Sequence, residues 1–160
     1  MPTSLVGTNT LVPNRLVYQA IREGVIDELQ GYDTIKREVN IGNHTRIDLV
    51  LKSESSSCYI EIKNCTLVSK GVAQFPDAVT KRGLKHLKEL QKMAKKGHRA
   101  AVFFFVQRMD ATVFRPATEI DPAYGNMLKR VHKQGVEILV YDVIIDLEGI
   151  CINKPIPYDL

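Results

Sequence analysis

The sequence predicts a mixed α/β domain, a three-layer sandwich whose central sheet contains both antiparallel and parallel strands. Three observations carry that expectation. Between residues 34 and 64 apolar and polar side chains alternate with period two in three runs, separated by Gly42-Asn43 and by the serine-rich stretch 53–57, as hairpin-linked strands do. Further on, AAVFFFV (100–106) and VEILVYD (136–142) are almost wholly apolar, the composition of strands covered on both faces. Helical periodicity precedes each of these two runs, so the second half reads helix, strand, helix, strand, with right-handed crossovers.

The elements follow in order. Pro13 suits the first turn of a helix, Leu16, Val17, Ala20, Ile21, Val25 and Leu29 recur at helical spacing, and Gly31 suits its stop, with Gly24 a point where it bends or splits. Thr34 to Ile41 is the first strand, TRIDLVLK the second and CYIEIKN the third. Residues 65–75 read as a loop of polar and small side chains. Pro76-Asp77 opens a long helix to Gly97, with Asp77 as its cap and Leu84, Leu87, Leu90 and Ala94 inward. Asp121-Pro122 caps another, ended by Gly135, with Tyr124, Leu128 and Val131 spaced for burial, and a final strand is expected between Gly149 and Ile156.

Composition excludes several classes of function. The 160 residues include no tryptophan, no run near the ~20 apolar residues of a membrane span, and no basic-then-apolar start of a signal peptide, which describes one cytoplasmic domain with no membrane partner. Cys58, Cys65 and Cys151 are odd in number and lack a CxxC pair, so neither a disulfide framework nor a zinc cluster is indicated. Cys65 reads as a buried small hydrophobe or as a reactive thiol beside the site described next. The net charge of +4 favours an acidic partner, and its distribution is more telling. From Lys81 to Arg99 eight basic residues face one acid, Glu89.

Chemistry concentrates in residues 46–64. With side chains alternating along a strand, Ile47, Leu49 and Leu51 take one face of the second strand and Asp48 the other; on the third, Cys58, Ile60 and Ile62 oppose Glu61 and Lys63. Pairing the apolar sets on one side brings Asp48, Glu61 and Lys63 together on the opposite one. Two carboxylates, with the Ile62 carbonyl, make an oxygen ligand set for a hard divalent cation, Mg2+ or Mn2+. Lys63 then stands where it can orient an attacking water or steady a phosphate, as phosphodiester hydrolysis requires. The other reading of a strand Glu-x-Lys is a solvated charge pair.

Helix, three hairpin strands, crossover helix and strand, with Asp48 on the second strand and Glu61-Ile62-Lys63 on the third, resemble the PD-(D/E)xK, or restriction-endonuclease-like, superfamily. RIDLVL, CYIEIKNCTLV, FPDAVTKRGLKHLKEL, AVFFFVQR, FRPATEIDPAYG and GVEILVYD resemble the sugar fermentation stimulation protein family from about Asn9 to Ile156. The resemblance implies a bacterial or archaeal cytoplasmic DNA-binding protein with a nuclease-like core and a regulatory role in sugar utilisation. Family members carry an N-terminal OB-like domain ahead of this core. Here the expectation is a single nuclease-like domain over 1–160 without it.

Lys81, Arg82, Lys85 and His86 are the candidate nucleic-acid contacts, through phosphates. Arg82 and His86, four apart, share a helical face that either looks onto Lys63 or is ordinary surface. Lys88, Lys92, Lys95 and Lys96 read as a solvated face. The first helix often supplies an acid to such sites; Glu23, Asp27 and Glu28 are available, and Asn14 is a polar substitute. Three functions fit: DNA binding without cleavage, a Mg2+-dependent nuclease, and a non-catalytic interaction module.

Overall fold

The computed structural model describes residues 11–42 and 44–160. Helix α1 (Val12–Arg22) leads into a 3-10 turn (Asp27–Leu29), followed by three strands, β1 (Thr34–Ile41), β2 (Thr45–Lys52) and β3 (Ser57–Cys65). Then come β4 (Leu67–Ser69), β5 (Val72–Phe75), α2 (Lys81–Lys95), β6 (Arg99–Val106), β7 (Val113–Pro116), α3 (Pro122–Lys133), β8 (Glu137–Ile145) and β9 (Ile150–Pro155). Six strands form the central sheet in the order β1-β2-β3-β6-β8-β9. Its outer pairs are antiparallel, and β3, β6 and β8 run parallel. The mixed three-layer sandwich is therefore the observed fold.

The apolar run on β6 explains the layering. Its side chains alternate: Phe103 and Phe105 pack with Leu49, Leu51, Ile60 and the inner face of α1, while Val102, Phe104 and Val106 pack with Leu87, Leu90, Leu128 and Val131 from α2 and α3. Phe104 also stacks on Phe114 of β7 with ring centroids 4.2 Å apart. Fully burying each ring stabilises the fold by about 2–3 kcal/mol. Arg99, at the start of β6, is held bidentately by Glu137 at 2.7 and 2.8 Å and reaches Tyr32 and the Glu28 carbonyl. It belongs to the sheet and not to a basic helical stripe.

Four local expectations change. The first helix does not run on to Gly31: α1 ends at Arg22 and the chain splits at Gly24, one of the two outcomes expected there, whose φ of 75° makes a left-handed turn ahead of the separate 3-10 turn. Residues 65–75 are no loop, because β4 and β5 pair and β5 runs parallel to β7 in a second, three-stranded sheet. Strands of three or four residues leave no measurable period, and their partner lies some forty residues away in the chain. Helix α2 opens later than Pro76-Asp77: Thr80 is the cap, its Oγ1 accepting from Gly83 N at 2.9 Å, while Asp77 is exposed. Asp121 explains that choice, since its Oδ1 caps α3 at Tyr124 N and its Oδ2 accepts from Thr80 N, tying both helix starts together.

The fourth change concerns β2. Ile47 packs with Val50 on the α2 side, whereas Leu49 and Leu51 face α1. The β1–β2 register is continuous on either side of the Glu38–Asp48 level but skips it, and Glu38 adopts φ 51° there, outside the extended region, so both strands change face at that level.

Phe104→Ala should lower unfolding free energy by about 3–5 kcal/mol. Urea unfolding followed by circular dichroism measures it, and a loss below 1 kcal/mol would show that the cluster relaxes around the gap.

Candidate functional site

Where β2 and β3 part, Asp48 fills the gap. Their antiparallel ladder runs from Lys52↔Ser57 to Leu49↔Ile60, whereas β3 stays paired to β6 as far as Cys65. Beyond Ile60 the β2 side of β3 has no strand ladder, and Asp48 Oδ2 accepts the Ile62 N–H at 2.8 Å. An extended residue points its N–H and C=O to the same side. The Ile62 carbonyl therefore faces the gap that Asp48 lines. The other carboxylate oxygen, Oδ1, accepts from Asn14 Nδ2 of α1 at 2.9 Å.

Glu61 is held from the opposite layer. Its Oε1 accepts Lys63 Nζ at 2.8 Å and also meets His86 Nδ1 of α2, with the Glu61 side chain only 4% exposed. Lys63 Nζ lies 3.1 Å from the same His86 nitrogen. That nitrogen serves one partner at a time: protonated, it donates to Glu61; unprotonated, it accepts from Lys63. Glu61 Oε2 is buried and, among the described residues, has no hydrogen-bond partner. A buried anionic oxygen without a donor is costly and marks a place for a ligand.

The two carboxyls are shifted in opposite directions. Burial raises the proton affinity of Asp48, the nearby Glu61 charge raises it further, and the bonds from Ile62 N and Asn14 recover only part. For Glu61, burial also acts upward, but the hydrogen bond from His86 and the charge of Lys63 outweigh it, so its carboxyl lies below the usual range. Asp48 receives dipoles; Glu61 receives a cation. Together with the Ile62 carbonyl they offer hard oxygen donors to a divalent cation, and the unpartnered Glu61 Oε2 is the observation that this set fits.

Among the sequence candidates, Lys63 and His86 thus converge on Glu61 from β3 and α2. Arg82 and Lys85 are exposed on the first turns of α2 and border a groove of about 530 Å³ with His86, Asn40, His44 and Arg46. Lys85 Nζ donates to the His44 carbonyl at 3.2 Å. Lys81 is exposed at the helix start. Of the first-helix candidates, Asn14 is the one at Asp48. Glu23 accepts from Gln19, and Glu28 accepts from Tyr141. Spacing put Arg82 and His86 on one helical face and left open whether it looked onto Lys63; in the structure His86 is buried against Lys63 and Glu61, and Arg82 is exposed. Cys65 is buried, donates to the Gln74 carbonyl at 3.1 Å, and burial pushes its thiol up to about 12, so it is a structural thiol.

With the geometry in place, comparison with known proteins is informative. Residues 11–149 match the family profile described as the Sugar fermentation stimulation protein RE domain. The sugar fermentation stimulation protein homolog of Citrifermentans bemidjiense is 48% identical over 152 residues, covering 95% of this chain and 66% of that protein. Its counterpart in Shewanella loihica is 47% identical over 158 residues, covering 98% and 68%. Among solved structures, Pyrococcus furiosus SfsA in complex with Ca2+ superposes with a TM-score of 0.88 at 28% identity, over 95% of this chain and 66% of that one. This chain therefore spans about two thirds of the length of these relatives.

The shift at Glu61 predicts a pH-dependent stability. A carboxyl whose proton affinity falls on folding stabilises the native state above its ordinary value of 4.5, and that contribution is lost as the pH falls through the lower folded value. Lys63→Met should cost about 1–3 kcal/mol at pH 7, with the gap from wild type closing as the pH drops below the carboxylate range. Thermal melts from pH 3 to 8 test this, and a gap that does not change with pH would exclude Glu61 as the partner that matters.

Proposed function

The chain belongs to the sugar fermentation stimulation protein family, and from that premise we propose that it is a DNA-binding protein that hydrolyses phosphodiester bonds with a divalent cation at Asp48 and Glu61. The observation that carries the reading is the buried, unpartnered Glu61 Oε2 beside an under-compensated Asp48. Asp48, Glu61 and the Ile62 carbonyl would hold Mg2+ or Mn2+, and the Ca2+ bound by the Pyrococcus furiosus relative, a hard cation of the same ligand preference, supports that choice. A bound cation supplies Lewis acidity and a water of lowered pKa.

The chain's own residues divide the remaining work. Lys63, 2.8 Å from Glu61, keeps its ammonium at the rim of the site, 12% exposed, where it meets a phosphate oxygen or the attacking water. His86 fixes Glu61 from behind and stands 3.1 Å from Lys63, so it positions both groups. Lys81, Arg82 and Lys85 contact neighbouring phosphates, which gives affinity with little sequence preference.

A second reading, DNA binding for regulation of sugar utilisation without cleavage, is favoured by Asn14. That position contributes an amide to Asp48 where an acid would add a negative charge, so the cation site is weaker by one anionic ligand.

Isothermal calorimetry with Mg2+ and Mn2+, alongside cleavage assays on nicked, flapped and single-stranded DNA, separates the readings. Asp48→Ala and Glu61→Ala should each lose metal binding and cleavage together, by about 10²-fold or more in rate. Lys63→Ala should keep the metal and lose the cleavage. Wild-type protein that binds DNA but takes up no metal at millimolar concentration would leave regulation as the function.

A further inference from the structure

Next to the carboxylate site, a groove between α1 and β1 has no role assigned so far. Two adjoining concavities, of about 580 and 510 Å³, share Arg15 and Arg37; the first reaches Asp48 and Asn14, and the second continues along α1 to Tyr18 and Arg22. The groove thus starts at the candidate cation site and leads away from it on the side opposite α2. Each part is of the size that holds one small ligand unit.

Its walls present three exposed arginines, and none of them pairs with an acid among the described residues. The acids that also line it are engaged elsewhere: Glu23 accepts from Gln19, Glu38 lies 3.8 Å from Arg46, and Asp48 is taken by Asn14 and Ile62. Between the arginines stands the half-buried ring of Tyr18, with the Arg37 guanidinium 4.9 Å and the Arg22 guanidinium 5.7 Å from its centroid. Two cations drawn to one ring repel each other, and the arrangement is relieved by an anion between them. Guanidinium planes held by an aromatic ring, in a cationic groove, are the combination that takes unpaired nucleotides: phosphates on the charges, bases against the flat groups.

We propose that this groove binds a single-stranded stretch of nucleic acid, two to three nucleotides long, running from the phosphate at Asp48 along α1. From Arg15 to Arg22 the helix advances about 10 Å at ~1.5 Å per residue. That length separates two phosphates of a short unpaired stretch, one at Arg15 and one at Arg22. Arg15 and Arg22 take phosphates, and Arg37, seated on Tyr18, offers its free face to a base. The assignment rests on the nucleic-acid reading above and narrows it to substrates with an unpaired end or flap. Either DNA or RNA carries the required chemistry.

Fluorescence anisotropy with labelled dT15, rU15 and a 15-base-pair duplex tests it, with metal omitted so that binding is read apart from cleavage. The exposed pair Arg15→Gln/Arg37→Gln should weaken single-strand binding about tenfold or more and flatten its salt slope by about 0.7 per lost phosphate contact. Duplex binding should change less than threefold. The comparison pair Arg82→Gln/Lys85→Gln, on the α2 side, should lower both kinds of binding alike, and unchanged melting temperatures establish that all variants are folded. Whichever of dT15 and rU15 binds more tightly identifies the natural strand. If wild type binds nucleic acid but the Arg15/Arg37 pair leaves single-strand affinity unchanged, or weakens duplex binding equally, the groove assignment is overturned while the function stands. If wild type binds none of the three probes, the function itself falls and the groove with it.

Discussion

Everything at the site depends on the bond from Ile62 N to Asp48 Oδ2. A strand that leaves its neighbour exposes unpaired backbone groups, and burial makes each of them costly. Here β2 departs from β3 after Leu49↔Ile60, and one side-chain carboxylate replaces the missing ladder. The repair satisfies the Ile62 N–H but leaves the Ile62 carbonyl on the same side without a strand partner. On the proposed reading, that carbonyl joins the two carboxylates as a third oxygen donor. The site is thus a by-product of how the sheet ends its own pairing.

Much of this was legible in the sequence where a local period was long enough to read. Glu61 and Lys63 stand opposite Cys58, Ile60 and Ile62 because β3 is regular through its length, and the period-two rule holds along it. It failed on β2, where the face change at Glu38 and Asp48 moves Ile47 to the other layer; only a positive φ records that switch, and no residue type announces it. The helix start at Thr80 was hidden for a related reason. Pro76-Asp77 has the local form of a cap, but Asp121, 41 residues beyond Thr80, decides the matter by bonding Thr80 N. Asn14 and His86 reach the carboxylates from helices on opposite faces of the sheet, a juxtaposition that topology creates and spacing does not encode.

The unequal treatment of the two carboxylates has a physical logic. Lys63 and the imidazole of His86 are both committed to Glu61, so that side already carries positive charge. Asp48 has only an amide and a backbone N–H, and the neighbouring Glu61 charge works against it. Of the two, Asp48 gains more from an arriving cation, whose charge offsets both its burial and the Glu61 charge. Glu61 is already ionised and fixed in orientation. One ligand is preorganised, and the other is poised to respond.

The distribution of basic groups follows from the same topology. Crossing from the first strands to β6 places α2, with Arg82 and Lys85, on one face of the sheet; the chain before β1 places α1, with Arg15 and Arg22, on the other. The carboxylates lie at the level between them, where β2 and β3 part. A polyanion approaching only one basic face would bring its phosphates near the negative pair without the charge needed to hold them there. Flanking charge on both faces, with low-dielectric layers behind each, focuses the positive potential on the gap itself. On the proposed reading, an uncharged arginine groove would weaken the site even with every metal ligand in place, because the carboxylates repel the phosphate that the flanks must bring to them.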